Sequence, residues 1–341
     1  MKYAFVLAAA AVTILGTAAS AGTLDLVMAR GFVKCGVSEG LPGFSSPDEN
    51  GNWSGIDVDI CRAVAAALFG DPSRVTYTPL SAEERFEVLR EGEIDVLSRN
   101  TTWTLVRDTA GLEFAAVNYF DGQAFMVRED LGVRSALELD GAAICVTAGT
   151  TTRINLADYF QANEMTYSAM VFPNYDEMIA AYDAGKCDAY TADQSALYAQ
   201  RTKLKDPDAH IILPGLISKE PLGPVVRQPG CQDVGDRWVE VIRWTLYAML
   251  EAEERGVSSR NVDDLRANSK IPGIRRLLGV EGDMGKNLGL TNDWGHRIIK
   301  LVGNYAEVFE RNLGPDTPLN IPRGVNALWK NGGLQYPMPI L

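Results

Sequence analysis

The sequence is short of histidine and of clustered positive charge. Its 341 residues hold only His210 and His296, which excludes a His-rich metal centre and leaves few candidates for a general base. No run of Lys or Arg occurs, and 32 Lys+Arg against 44 Asp+Glu give a formal charge of −12. Phosphate backbones are bound by a basic stripe, so nucleic acid is set aside as a partner. GxSxG, HExxH, GxGxxG and GxxxxGK[ST] are all missing. The five cysteines, Cys35, Cys61, Cys145, Cys187 and Cys231, show neither CxxC nor metal-like spacing. Past the N-terminus nothing approaches about 18 uncharged apolar residues, so the mature chain is expected to be soluble. These absences favour capture of a small molecule, without cofactor or metal, over chemistry.

The N-terminus reads as an export signal over residues 1–21. Met1-Lys2-Tyr3 is a short basic start, Ala4 to Gly16 is apolar, and Ala19-Ser20-Ala21 is a small-x-small cleavage site before Gly22. No Cys follows the cleavage point, which argues against a lipid anchor. Export points to a bacterial periplasm or the outside of the cell.

Beyond Gly22, short apolar runs alternate with amphipathic ones. Val33–Val37, Val75–Pro79 and Ile94–Leu97 read as strands, separated by helices over Asp57–Phe69 and Glu83–Arg90. Ala143–Thr147, Tyr167–Phe172 and Asp188–Thr191 repeat the pattern around helices Arg153–Ala162 and Tyr175–Ala184. Alternation of this kind predicts an α/β fold with mostly parallel sheets. The repeat is sharpest at Gly92-Glu93-Ile94-Asp95 and Gly185-Lys186-Cys187-Asp188, each Gly placed to end a helix. Five residues past each Asp stand Asn100 and Asp193. They should leave the C-terminal strand ends of two lobes, where ligands of open α/β sheets bind.

Gln123–Arg128 and the stretch around Ser218–Val226 are expected to be hinge strands between the lobes. Residues 22–122 and 223–341 then form a discontinuous first lobe and residues 123–222 a second, inserted one. Helices over Trp238–Arg255 and Trp294–Phe309 should pack back on the first. In an oxidising space Cys35 with Cys61, and Cys145 with Cys187, would pair within each lobe and leave Cys231 free. Five small buried thiols are the alternative.

Three segments carry candidate binding groups. Asn100-Thr101-Thr102-Trp103-Thr104-Leu105-Val106-Arg107 offers hydroxyls, backbone and one guanidinium fork, which suits a carboxylate. Ala148-Gly149-Thr150-Thr151-Thr152 opens a helix, whose N–H groups attract an anion. Asp193, in Thr191-Ala192-Asp193-Gln194-Ser195, could pair with an ammonium or simply cap a helix.

At these residues the chain resembles the periplasmic solute-binding proteins of polar amino acid ABC transporters. Gly55-Ile56-Asp57-Val58-Asp59-Ile60 matches a signature of that family, and Thr102 with Arg107 matches its ligand loop. The tail, including Leu288-Gly289-Leu290, Arg311-Asn312-Leu313-Gly314 and Arg323-Gly324-Val325-Asn326, is similar to the general L-amino-acid-binding branch. The resemblance implies a two-lobe type II binding-protein fold, each lobe a mixed, mostly parallel sheet flanked by helices, joined by two hinge strands. It also implies that Arg107 and the Thr151 N–H hold the ligand's α-carboxylate, while Asp193, Thr102 and the Asn100 carbonyl meet its α-ammonium. The partners it implies are an L-amino acid and an inner-membrane permease with a cytoplasmic ATPase, the protein itself acting as a monomer. Gly40 and Ala82 stand where narrow-specificity relatives carry an aromatic pair, with Phe44 or Trp103 as possible substitutes, and broad specificity follows. An exported dehydratase acting on prephenate or arogenate, or a ligand-presenting sensor, are the alternatives.

Overall fold

The computed structural model describes residues 22–228 and 236–341. The export signal read over residues 1–21, and Cys231, lie outside them. Val33–Ser38 is buried at five of six positions, as a strand covered on both faces must be. It pairs in parallel with Val75–Leu80 and with Val96–Leu97. Antiparallel strands Val225–Arg227 and Leu112–Phe114 complete this sheet of five. The second sheet repeats the order: Tyr167–Phe172, Ala142–Thr147 and Ala189–Asp193 run parallel, followed by Gln123–Arg128 and His210–Ile212. Helices Ile56–Phe69 and Arg85–Arg90 accompany the first sheet, Thr152–Ala162 and Tyr175–Asp183 the second. This is the expected two-lobe α/β architecture.

The internal echo has one physical role in both lobes. Asp95 accepts from the Lys34 N–H at 2.7 Å, and Asp188 accepts from the Ala143 N–H at 2.8 Å. Each acid thus clamps the start of the neighbouring strand. Gly92 (φ 75°) and Gly185 (φ 72°) end the preceding helices in the left-handed region, where a side chain would be strained.

Two expectations are corrected. Gln123–Arg128 is not a crossing strand but an inner strand of the second sheet, between Ala189–Asp193 and His210–Ile212. The chain crosses at Tyr119–Asp121 and Glu220–Leu222, which pair antiparallel in a ribbon outside both sheets. A short apolar run fits a connector or a buried strand equally well, and burial decides it. The single helix expected over Trp294–Phe309 is two, Trp294–Leu301 and Tyr305–Leu313. Gly303 (φ 104°) breaks the first, and Asn304 with Glu307 forms a capping box that starts the second.

Residues beyond 236 pack on the first lobe and grip the crossing ribbon. The Trp238 indole donates to the Asp95 carbonyl at 2.8 Å, and the Tyr305 hydroxyl donates to the Asn118 carbonyl at 2.6 Å. Asn326 accepts from the Phe120 N–H and donates to its carbonyl. Disulfides Cys35–Cys61 and Cys145–Cys187 form, one in each lobe, so the reading as free thiols fails for these four. Among the described residues no helix is long and apolar enough to cross a membrane.

Candidate ligand-binding site

The C-terminal ends of the parallel strands in the two sheets face each other across the ribbon. Asn100, Thr102 and Arg107 from the first lobe and Thr151 and Asp193 from the second line one space of about 370 Å³, mouth included. All five residues singled out from the sequence therefore meet.

On the first lobe the signature Gly55–Ile60 supports Asn100 from outside the cleft. Gly55 (φ 129°) must be glycine, because a Cβ there would lie 2.0 Å from the Phe44 carbonyl oxygen. Asp57 accepts from the Asn100 N–H at 2.8 Å and holds Asn100 at a positive φ of 27°. Asp59 faces away and accepts from Arg311 and Asn312, tying the tail to the lobe. Both acids are structural.

Arg107 sits in the short helix Leu105–Asp108, capped by Thr104. One guanidinium nitrogen donates to the Thr102 carbonyl at 2.9 Å, and the group lies 5.1 Å from the Phe86 ring centre. A fork held on one prong and stacked on a ring keeps its other donors aimed into the cleft. On the second lobe the Thr151 hydroxyl donates to Glu220 of the ribbon at 3.1 Å, and Asn155 and Ser218 donate to the same carboxylate. This turns the hydroxyl of Thr151 towards the ribbon and leaves its N–H, at the start of helix Thr152–Ala162, for the cleft.

Asp193 occupies the N-cap position of helix Gln194–Arg201 yet makes no capping bond. Its carboxyl is pushed well above the usual range by burial and by Asp121 and Glu220 nearby, against the pull of Arg107 and Arg85. Among the described residues neither Asp193 nor Arg107 has an oppositely charged side chain within ion-pair distance. Two opposite charges thus face one space from two lobes.

The side-chain candidates Phe44 and Trp103 do not line this space. Phe44 is core, 1% exposed and edge-on to Tyr119. Trp103 stacks on Phe114 and donates its backbone N–H to the Pro221 carbonyl beside the ribbon. An aromatic one or two residues from a ligand loop points wherever the backbone turns it. Instead Arg85, Arg99 and Tyr175 line the cleft. Arg85 begins the helix that follows strand Val75–Leu80, and Arg99 immediately precedes Asn100. The rule that ligands sit at C-terminal strand ends would have reached Arg99. The lobes already touch: Lys203 donates to the Gly40 carbonyl at 2.8 Å, and Gly149 packs against Ala82 and Glu83.

Burial pushes the carboxyls of Asp57 and Asp121 up to about 6. A folded state that holds these protons more tightly than the unfolded chain gains stability at low pH and loses it as pH rises through about 6. His210, pushed down by burial, acts in the opposite sense. Burial also holds Asp95, Asp193 and Glu253 above their usual range, and these raised carboxyls together outweigh one imidazole. The ligand-free protein should therefore unfold at a higher temperature near about pH 5 than near about pH 7.5. Scanning calorimetry at the two values checks this, and a lower midpoint at the acid value contradicts it.

Residues 33–139 match the model of the bacterial extracellular solute-binding proteins, family 3. Over 335 residues the chain is 58% identical to the general L-amino acid-binding periplasmic protein AapJ of Rhizobium johnstonii, covering 97% of this chain and 96% of that one. The chain belongs to this solute-binding family. Another member, the glutamate/glutamine/aspartate/asparagine-binding protein BztA of Rhodobacter capsulatus, is 52% identical across 99% of both chains. A solved member, an ABC transporter periplasmic binding protein from Brucella ovis with glutathione bound, superposes with a TM-score of 0.91 at 56% identity. It is matched over 94% of this chain and 100% of its own. Membership accounts for the two lobes, the crossing ribbon and the cleft between them.

Proposed function

We propose that this solute-binding protein captures L-amino acids in the interlobe cleft and delivers them, in the periplasm, to an inner-membrane permease driven by a cytoplasmic ATPase. One observation carries the reading: Arg107 and Asp193 face the same space from opposite lobes with neither charge neutralised by the protein. An α-amino acid supplies both missing partners. Its carboxylate meets the Arg107 fork and the Thr151 N–H, and its ammonium meets Asp193, the Thr102 hydroxyl and the Asn100 carbonyl. The ammonium also relieves the electrostatic cost of ionising Asp193 beside Asp121 and Glu220. Because the two partners belong to different lobes, ligand stabilises the closed arrangement by differential affinity, with Tyr119–Asp121 and Glu220–Leu222 as the hinge.

The names of the relatives support the same class. AapJ is a general L-amino acid binder, and BztA takes two acids and their amides. Glutathione, held by the Brucella ovis relative, carries a free α-ammonium and α-carboxylate at its γ-glutamyl end, so γ-glutamyl peptides belong to the same chemistry. No turnover is assigned: in this reading the charges of the cleft hold a zwitterion, and the protein meets the permease as a monomer.

A thermal-shift panel of the standard L-amino acids tests the reading. Acidic, polar and aliphatic members should all raise the midpoint, with affinities within about two to three orders of magnitude, because the shared backbone groups carry most of the binding. A shift from a single chemical class would overturn the breadth, and no shift from any amino acid would overturn the function.

A further inference from the structure

Residues 323–335 of the tail do not line the cleft, yet a ladder of hydrogen bonds joins the two. The ligand loop lies along one edge of the crossing ribbon. Trp103 donates its N–H to the Pro221 carbonyl at 2.8 Å, and the Gly223 N–H donates to the Thr101 carbonyl at 3.0 Å. Glu220–Leu222 pairs in turn with Tyr119–Asp121, with Pro221 facing Phe120. On the far edge the N–H and carbonyl of Phe120 need partners, and the Asn326 side chain fills both. It accepts from the N–H at 2.7 Å and donates to the carbonyl at 2.9 Å. One amide thus stands where a further strand would.

Asn326 is itself buried and held in place. Arg323 donates to its backbone carbonyl at 3.1 Å while paired with Glu253 at 3.0 Å. The chain then turns back on itself: the Leu334 N–H donates to the Val325 carbonyl at 2.8 Å, and the Gln335 N–H to the Ala327 carbonyl at 3.2 Å. Gly333 must be glycine for this turn, because a Cβ there would lie 1.8 Å from the Ala327 carbonyl oxygen. Gln335, also buried, donates to the Asn118 carbonyl at 3.3 Å. The loop therefore aims two buried amides at the same short stretch, Asn118 to Phe120.

We propose that Asn326 is a positioning residue for ligand capture: by closing the outer edge of the crossing ribbon it holds the loop Asn100 to Arg107 in its binding arrangement. Thr102 is where the ladder meets the site, bridged to Leu222 while its carbonyl accepts from Arg107 at 2.9 Å. Without the amide, Phe120 has two unpaired edge groups, the ribbon frays, and the loop is in place in a smaller fraction of molecules. Apparent affinity falls by that fraction whatever the ligand's side chain, because the loss falls on the free protein. The inference rests on the amino-acid reading above for its ligand, whereas the brace is read from the protein alone.

Asn326→Ala tests this with two readouts. Titration calorimetry with L-glutamate, L-glutamine and L-alanine should show all three weakened by the same factor, about tenfold. Hydrogen exchange in the ligand-free variant should quicken by about tenfold at residues 101–104 as well as at 118–122, while strand Val33–Ser38 keeps its protection. Leu334→Ala, on the exposed outer side of the same loop, should change neither readout. Gln335→Met breaks the longer bond to the Asn118 carbonyl and should give the same pattern at about threefold, which decides the matter if Asn326→Ala does not fold. Unchanged exchange at 101–104 overturns the brace and leaves the amino-acid reading standing. So do affinities that stay at the wild-type value, or that fall by different factors for the three ligands. A wild-type protein that binds no L-amino acid overturns that reading, and exchange at 101–104 then still decides the brace.

Discussion

Arg107→Ala should weaken every L-amino acid by about 3 kcal/mol, or roughly a hundredfold in Kd, while the protein stays folded. The side chain is partly buried on a four-residue helix at the cleft, and its contacts are with Phe86 and the Thr102 carbonyl rather than with the core. Truncation removes a charge-assisted pair and leaves the ligand's carboxylate with the Thr151 N–H alone. The carboxylate has been stripped of water by closure, so the loss is the full cost of an underpaired charge rather than the modest net value of an exposed one. Arg107→Lys should recover little, because a point charge cannot hold two oxygens while donating to Thr102. Titration calorimetry on a variant of unchanged circular dichroism is the measurement. Near-wild-type affinity would remove Arg107 from the site.

Loss of either disulfide should have a large effect on stability, and Cys35–Cys61 shows why. The link spans 26 residues and ties the inner strand Val33–Ser38 to helix Ile56–Phe69. Closing a loop of that length in the unfolded chain is worth about 3.5 kcal/mol on the chain-entropy account. Cys35→Ala with Cys61→Ala should lower the urea midpoint accordingly. The Cys145–Cys187 pair closes 42 residues and should give a similar, slightly larger loss of about 4 kcal/mol. A change below about 1 kcal/mol in either case would mean that the crosslink contributes nothing to folding.

The fold was legible in the sequence wherever local pattern and long-range role coincide. Gly92 with Asp95 and Gly185 with Asp188 end a helix and begin a strand in both lobes, and the echo points to two similar sheets. From there the strand-end rule reaches Asn100 and Asp193. The stretch around Ser218–Val226 does hold one strand of the crossing ribbon, but the other was misplaced because apolar Gln123–Arg128 is indistinguishable from a connector until its neighbours on both sides are known. The break at Gly303-Asn304 is written in a glycine followed by a capping box, and attention to Glu307 would have found it.

The site divides in the same way. Arg107, Thr102, Thr151 and Asp193 stand in loops at strand ends, where polar residues are informative. Arg85 was hidden in a helix whose charged positions read as a solvated face, since Glu83, Glu84, Glu87 and Arg90 surround it. Only burial separates it from them: Arg85 is 3% exposed and its charged neighbours are largely in solvent. Glu220 and Asp121, which brace Thr151 and load Asp193 with negative charge, lie on the crossing ribbon and come near the cleft only through tertiary structure. Phe44 and Trp103 show the reverse error, aromatic residues close to the site in sequence whose rings are used in packing.

The central claim is that Arg107 and Asp193 read the α-carboxylate and α-ammonium of one ligand from opposite lobes. Titration calorimetry of the wild-type protein with an L-amino acid, its D-enantiomer and its des-amino analogue tests it most directly. The account predicts saturable binding of the L form, and at least about a thousandfold weaker binding of the other two, each of which loses the pairing with Asp193. Binding of the D-enantiomer or the des-amino acid within about tenfold of the L form would contradict it.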